Sequence, residues 1–260
     1  MQAYLEFFLW GLAVVAVLYR ALPLVIRFGI RMAAHPAFEA IDFRRLSHGT
    51  AEFLLARIKC LIDLGFDEPI LVRMPNPVPN VSTYLIMLIN RSTGDKAMVT
   101  AIFGTAPGAP QLKTLYVEFS TRFETGEVFD TLNSSELSAF PPGPETVRTQ
   151  TPSVGDPQKL FRLHQFVMKK HGASGRKVVY GPGQALNYLK KTVLIESYEK
   201  QVDRGWLYYD DAADAYRPTL QGAYLMTWSL MQPFKAIRAV AMRRRAWKTL
   251  DEFGQAGETI

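Results

Sequence analysis

The side chains best suited to catalysis or metal binding in this sequence are four histidines and one cysteine. His35, His48, His164 and His171 lack the spacing of a metal site, and Cys60 has no second thiol to join. Cys60 lies in an apolar run, which predicts a buried, unreactive thiol. Phosphate-loop, dinucleotide and nucleophile-elbow motifs are absent from the sequence. We therefore predict no catalytic residue, cofactor site or metal site, and we interpret His164 as a residue on a helix flank.

Two clusters of polar residues are weaker candidates for binding. The segment 90–96 could bind an anion, but its Ser-Thr-Gly-Asp core is typical of a hairpin turn. Glu118, Arg122, Glu124 and Glu127 form a charged face on a predicted hairpin and could contact a partner. Because exposed strand faces are normally charged, we expect an ordinary turn and an ordinary solvated surface at these two places.

The element that must position the rest of the chain is an apolar N-terminal segment. From Ala3 to Tyr19 it contains one charged residue, Glu6, and its apolar character resumes after Arg20. About 20 apolar residues are enough to cross a bilayer core of about 30 Å. We predict a transmembrane and juxtamembrane helix over residues 1–34. The alternatives are a cleaved signal peptide, which would want basic residues before the run, and a buried core helix.

Basic residues follow this segment closely, at Arg20, Arg27, Arg31, Arg44 and Arg45. The positive-inside rule assigns such a flank to the cytoplasm. We therefore expect a single-pass protein of the cell membrane, the inner one where there are two, with its N-terminus outside and its body in the cytoplasm. Seven- and four-residue spacing would place Arg20, Arg27 and Arg31 on one helical stripe facing headgroups or water.

A second apolar and aromatic segment, 220–234, precedes another basic region. The spacing of Leu220, Tyr224 and Trp228 predicts a helix, kinked at Pro233, whose basic end lies near anionic headgroups. The alternatives are a packed terminal helix with a solvated basic tail, nucleic-acid binding and a second membrane span. The residues predicted to contact the membrane are Trp10, Tyr19, Arg20, Arg27, Arg31, Tyr224, Trp228, Lys235, Arg238, Arg243, Arg244 and Arg245.

Between these elements the sequence predicts an α+β domain over residues 38–172. Apolar residues at three- and four-residue steps predict a helix from Thr50, ended by Gly65 in a left-handed conformation. Apolar runs separated by short turns predict an antiparallel meander of about five strands. These strands are 66–74, 81–90, 97–103, 115–123 and 128–132. Asp156 predicts the cap of a further helix that ends near Gly172.

Residues 183–250 are predicted to form a helical part with a β-hairpin and a basic amphipathic C-terminal helix. A helix from Gln184 to Arg204 is followed by two short strands around the acidic turn 210–214 and by another helix. This order resembles the helix, hairpin and closing helix of winged-helix modules, in this part of the chain only. The three aspartates of the turn would repel phosphate, so protein contact is favoured over DNA contact.

Composition agrees with a folded protein at a membrane, since the chain has 260 residues, is 48% hydrophobic and carries a net charge of +6. We expect a membrane-anchored, cytoplasm-facing interaction or regulatory module, and not an enzyme. Its expected partners are the lipid bilayer and either a membrane protein or a second copy of the chain, because Glu6 in an apolar run is costly unless paired. The alternatives are a membrane-bound enzyme acting on a lipid or apolar substrate and a membrane-tethered, winged-helix-like nucleic-acid binder.

Overall fold

The computed structural model describes residues 2–35, 38–46, 48–74, 81–104, 111–181 and 183–257 as an α+β protein. The helices are α1 (Gln2–Gly29), α2 (His48–Asp63), α3 (Pro157–Lys170), α4 (Ala185–Tyr188), α5 (Glu196–Asp203), α6 (Leu220–Leu230) and α7 (Phe234–Gln255). The strands are β1 (Met32–Ala33), β2 (Glu39–Ala40), β3 (Asp67–Met74), β4 (Val81–Ile89), β5 (Lys96–Gly104), β6 (Gln111–Arg122), β7 (Val128–Leu132), β8 (Thr146–Gln150), β9 (Leu207–Asp210) and β10 (Ala215–Pro218).

The chain divides into two compact units, each assembled from several segments. The helical unit comprises Met1–His35, Leu137–Pro141 and Glu196–Arg238, and the sheet unit comprises Pro36–Glu136, Pro142–Ile195 and Ala239–Ile260. The segment 183–250 therefore contributes to both units.

The sheet unit is built on seven strands in the order β2-β3-β4-β5-β6-β7-β8. Strands β3 to β7 form the antiparallel meander that the sequence predicts, because strands that follow one another closely in the chain tend to pair. The sheet is larger than predicted. The two-residue strand β2 joins β3 at one edge, and β8 runs parallel to β7 at the other.

Helices cover both faces of this sheet. On one face α2 and α3 pack over an apolar core that includes Phe66, Phe119 and Phe161. The ring centroids of Phe119 and Phe161 are 5.0 Å apart, within the range of favourable aromatic pairs. On the opposite face α4 and the π-helical segment Leu189–Ile195 that continues it pack over the apolar residues of β3 and β4.

The predicted ends of helices in the sheet unit are confirmed. Gly65 ends α2 with a φ of 85°, a left-handed conformation that glycine adopts without a Cβ penalty. Asp156 caps α3, since its carboxylate accepts hydrogen bonds from the backbone N–H groups of Gln158 and Lys159 at 3.1 and 3.4 Å.

In the helical unit, the predicted hairpin of β9 and β10 is present and is followed directly by α6. The sequence did not predict β1, which pairs with β10 and makes a three-stranded sheet. The C-terminal half of α1 packs against α6. Gly222 lets α6 approach the hairpin, because a Cβ at this position would lie 1.8 Å from the carbonyl oxygen of Trp206.

Two helix predictions need correction. The segment 184–204 is not one regular α-helix, because the π-helical turns Leu189–Ile195 separate α4 from α5. Pro233 does not kink a single helix but lies between two, since α6 ends at Leu230 and α7 begins at Phe234. Proline has no backbone N–H and cannot continue the hydrogen-bond ladder of α6.

Candidate functional site

The N-terminal half of α1 has exposed apolar side chains on all its sides. Consecutive helical residues point about 100° apart, so Phe7, Phe8, Leu9 and Trp10 alone surround the axis. Among the side chains that the structure describes, the large exposed apolar ones of this half are Tyr4, Phe7, Phe8, Leu9, Trp10, Val14, Val15, Val17 and Leu18, with Trp10 73% exposed. The span Glu6–Gly29 is long and apolar enough to cross a membrane, and it is the one such helix among the described residues.

The other predicted membrane residues of this region lie in the second half of α1 or just beyond it. The Tyr19 hydroxyl donates a hydrogen bond to the carbonyl of Gln232 at 3.1 Å, while Arg20 is exposed. Arg27 is half-buried, with its guanidinium carbon 6.0 Å from the centroid of the Phe28 ring. The helix ends at Gly29, so Arg31 lies beyond it and does not continue the predicted helical stripe.

The predicted membrane residues of α6 and the start of α7 are partly occupied by contacts within the helical unit. Tyr224 and Trp228 are half-buried, and their ring centroids are 4.8 Å apart. The guanidinium of Arg238 donates hydrogen bonds to the backbone carbonyl of Ser229 on α6 at 2.8 Å and to that of Ser138 at 2.9 Å. These bonds hold the start of α7 within the helical unit. Lys235 is exposed.

In the sheet unit, α7 presents one buried and one exposed face. Phe253 is fully buried and packs against Phe166 of α3, with ring centroids 5.4 Å apart, and Lys170 of α3 forms an ion pair with Glu252. The exposed face carries the predicted membrane residues Arg243, Arg244 and Arg245. Exposed apolar side chains accompany them, namely Val240 and Trp247, of which Trp247 is 72% exposed.

A groove of about 490 Å³ runs along this part of α7, wholly within the sheet unit. Its lining is mostly apolar, with Arg243 and two serines as its polar members. The lining residues are Ser135, Pro152, Ser153, Ala239, Met242, Arg243, Ala246, Trp247 and Leu250. Sequence reasoning missed this groove, although apolar residues at three- and four-residue steps from Ala239 to Leu250 indicate a helix face that needs cover.

A second candidate for chemistry is a chain of buried polar side chains. His164 is completely buried, so its predicted place on an exposed helix flank is wrong. Its Nδ1 lies 3.0 Å from the Thr131 hydroxyl and its Nε2 lies 2.9 Å from the Thr121 hydroxyl. Thr121 in turn donates to Asp95 at 2.5 Å, and Lys177 donates to the same carboxylate oxygen at 2.8 Å.

The direction of each hydrogen bond in this chain follows from the charge of Asp95. An ionised carboxylate only accepts, so Thr121 must donate to it and must accept from the N–H at Nε2 of His164. Thr131 then donates to Nδ1, and the ring is neutral with both nitrogens satisfied. Burial lowers the pKa of His164 to about 4, in agreement with a neutral ring.

Asp95 stays ionised although it is buried. Burial by itself would raise the pKa of this carboxyl, but hydrogen bonds from Lys177 and Thr121 and the charge of Lys177 hold it below its usual value. His164, Thr121 and Asp95 are enclosed, and both ring nitrogens of His164 have a partner. This arrangement suits a structural role better than a proton transfer to a ligand.

Lys96 is a third unusual group, with a side chain that is 1% exposed. Its ammonium lies 4.9 Å from the ring centroid of Tyr180 and 5.4 Å from that of Tyr188, and it donates to the carbonyl of Val178 at 3.1 Å. Burial lowers the pKa of Lys96 to about 8. The anion site considered for the segment 90–96 is disfavoured, because the Lys96 ammonium lies by aromatic rings and the Arg91 guanidinium pairs with Asp67 at 3.1 Å.

On the same sheet face, Glu118 of β6 is not the solvated charge that the sequence predicts. Its side chain is 14% exposed and lies 4.0 Å from the guanidinium of Arg148 on β8. Burial raises the pKa of Glu118 to about 7, although the charge of Arg148 opposes that shift. Its ion-pair partner lies on β8, the strand that sequence patterns did not reveal.

Two further candidates for chemistry are a metal-binding cluster and the thiol of Cys60. No group of three or more His, Cys, Asp or Glu side chains in the described ranges is arranged to hold a metal ion. Cys60, expected to be buried, is only half-buried, and burial and nearby carboxylates raise the pKa of its thiol, which makes it less reactive. No protein-family model, curated protein or solved structure gives a significant match to the chain.

Proposed function

We propose that this chain is a single-pass membrane protein whose folded body is a non-enzymatic interaction module at the membrane surface. The observation that carries the proposal is the apolar, exposed surface around α1 from Tyr4 to Leu18. In water such a surface would be a large unfavourable patch, whereas in a bilayer it is the expected exterior of a spanning helix. The helix also satisfies its own backbone hydrogen bonds, as a span in lipid must.

The proposed orientation places the body in the cytoplasm. Arg20 is exposed in the second half of α1, and Arg31 follows the helix. Cytoplasmic flanks are enriched in such residues. The exposed Arg243, Arg244 and Arg245 of α7 would add attraction to anionic headgroups, worth about 1 kcal/mol for each charge close to the surface.

Binding is favoured over turnover by where the unusual groups lie. A lipid-processing enzyme would need a general acid or base at its apolar pocket. Among the residues that the structure describes, the lining of the α7 groove contains no histidine and no acid, and Glu118, Lys96 and His164 are not part of it. An enzyme would need its apolar pocket and its groups with shifted pKa values at one place, and in this protein they lie apart.

A nucleic-acid partner is disfavoured by the charge of the hairpin in the helical unit. Arg217 forms an ion pair with Asp210 at 2.9 Å, and Asp211 and Asp214 lie at the turn. A phosphate backbone would meet repulsion there.

The anchor is tested by alkaline carbonate extraction of the full chain and of a variant with Leu9→Arg and Val15→Arg. Two arginines within the span should move most of the protein from the membrane pellet to the supernatant, since each costs about 2.5–3.5 kcal/mol near the centre of a helix in a bilayer. The matched control places the same charges on exposed positions of α2, as Leu55→Arg and Ile62→Arg. Equal extraction of wild type and both variants would show that α1 does not span.

The interaction role is tested through Glu6, an exposed carboxyl in the apolar part of α1. If this group pairs within the membrane, Glu6→Leu should shift the complex isolated in mild detergent to a smaller size, whereas Arg20→Lys should not. A complex of unchanged size in Glu6→Leu would contradict a pairing role for this carboxyl.

A further inference from the structure

We propose that the α7 groove binds one acyl chain of an anionic phospholipid, with the Arg243 guanidinium on the lipid phosphate. The inference rests on the proposed membrane anchor, because a bilayer must be close enough to supply the lipid. It goes further than surface attraction, since it assigns a defined site in the sheet unit to one class of ligand.

The lining of the groove selects the ligand class. Its walls are the side chains of Pro152, Met242, Trp247 and Leu250 together with small alanines, which suit a flexible hydrocarbon. The hydroxyls of Ser135 and Ser153 and the charge of Arg243 are its polar groups. The described lining residues include no acid, so none of them would pair with a cationic ligand.

A hydrocarbon chain fits this lining better than a peptide does. A peptide laid in the groove would bring backbone N–H and C=O groups, each of which needs a hydrogen-bond partner when it is buried. Besides Arg243, the lining offers two hydroxyl groups. The acyl chain of a phospholipid brings no polar group into the groove, because the polar groups lie at the headgroup end of the lipid. That end can stay near Arg243.

Arg243 is available for a phosphate. Its Nε donates to the carbonyl of Ala239 at 3.3 Å, which orients the guanidinium along its own helix. The two terminal nitrogens form no hydrogen bond or salt bridge with the residues that the structure describes. A planar guanidinium with two donors matches the oxygens of a phosphate.

The exposed edge of the groove has the chemistry of a membrane interface. Val240, Arg243 and Trp247 are spaced three and four residues apart and so follow one another along one face of α7. Val240 and Trp247 are exposed apolar side chains, and Arg244 and Lys248 are exposed cations beside them. Tryptophan and arginine side by side are typical of the headgroup region, where an apolar ring and a charge are both satisfied.

The test uses the full chain in bilayer nanodiscs that contain phosphatidylglycerol with a photoreactive group on one acyl chain. After irradiation, labelled peptides are mapped by mass spectrometry. We expect label in the segment 239–250 and in α1 of the wild type. Arg243→Ala should lower labelling of 239–250 by about tenfold, the equivalent of one charge-assisted contact. Lys59→Ala removes the same charge from an exposed residue of α2, outside the groove and outside the predicted membrane-contacting set, and should leave the label unchanged.

A second variant, Ala239→Trp, fills the groove without removing charge and should abolish labelling of 239–250. Retention of near-ultraviolet circular dichroism shows that each variant is folded. Equal labelling in Arg243→Ala, Lys59→Ala and wild type would overturn the phosphate contact. Label in α1 but not in 239–250 of the wild type would overturn the groove proposal and leave the anchor intact, whereas absence of label from α1 as well would contradict the proposed function itself. Excess inorganic phosphate should not compete, because the ligand is a lipid and not a free anion.

Discussion

Thr121 is the residue on which the buried polar chain of the sheet unit depends. Its one hydroxyl accepts from His164 and donates to Asp95, so it connects a helix residue to a residue beside β5. Because Thr121 is fully buried, a water molecule could take the place of its hydroxyl group only if neighbouring side chains moved apart. Buried networks of this kind are stabilising only while every member has a partner.

We therefore predict that Thr121→Val destabilises the protein by about 3 kcal/mol. Valine has nearly the shape of threonine, so the loss comes from the unpaired groups left at Asp95 and His164 and not from a cavity. Urea unfolding of the full chain in detergent micelles measures the change. Thr114→Val on the same strand is the control, since the Thr114 hydroxyl forms no hydrogen bond with the described residues, and it should change stability by less than about 0.5 kcal/mol.

Two buried groups should give opposite pH dependences of stability. The pKa of His164 is lowered from 6.5 to about 4, so the unfolded chain takes up a proton first and this contribution to stability is lost as pH falls through that window. The pKa of Glu118 is raised from 4.5 to about 7, so the folded protein holds the extra proton and this contribution is lost as pH rises. Each amounts to about 3 kcal/mol at most.

We predict that these contributions oppose each other in wild type between pH 4.5 and 6.5. In Glu118→Gln only the contribution of His164 remains, so the free energy of unfolding should rise with pH across this window. His164→Gln should leave the glutamate effect, so stability falls with rising pH. Denaturant titrations at several pH values distinguish the two, and identical slopes for both variants would show that neither group titrates as its environment implies.

Among the helices and strands, those with a local sequence pattern could be predicted, whereas the pairing of strands with distant segments could not. The strands β3 to β7 have continuous or alternating apolar runs and short turns, so the meander could be predicted. The two residues of β2 carry no pattern, and β8 contains one apolar residue, Val147, in a sequence rich in polar groups. Both strands form because long connections return them to a sheet edge.

The buried residues of the candidate sites were missed for the same reason. Whether His164 faces water or the core depends on Thr121 and Thr131, which lie on two strands far from it in sequence. The groove depends on Ser135 and Pro152 meeting α7. Nothing local to those residues indicates that meeting, whereas the caps at Gly65 and Asp156 depend on neighbours in sequence and were predicted.

The contact of α6 with the hairpin gives a prediction for one element. Gly222→Ala would place a methyl group 1.8 Å from the Trp206 carbonyl, so α6 must shift. We expect a loss of about 2–3 kcal/mol and partial loss of the packing between α6 and the hairpin. Gly155→Ala is the matched control because a Cβ there meets nothing within 4 Å. The two variants are compared by thermal unfolding and limited proteolysis after Arg204 and Arg217, and equal protection in both would mean that the close approach is relaxed in solution.

For the whole molecule, the proposed topology places the two ends of the chain on opposite sides of a membrane. Arginines follow the apolar segment closely, and the positive-inside rule favours the cytoplasm for such a flank. The proposed lipid groove requires the same arrangement, because the basic face of α7 is attracted to the anionic cytoplasmic leaflet. Orientation and groove are therefore linked.

We predict that a membrane-impermeant maleimide labels Tyr4→Cys in intact cells and labels Gln255→Cys only after lysis, both in a Cys60→Ser background. Tyr4 is exposed and precedes the span Glu6–Gly29, and Gln255 is exposed at the end of α7. Labelling of Gln255→Cys alone in intact cells would reverse the orientation and expose the arginines of α7 to the other leaflet. Labelling of both positions only after lysis would place the two ends on one side, so that α1 lies along the surface and the groove would have to draw lipid from a bilayer that the chain does not cross.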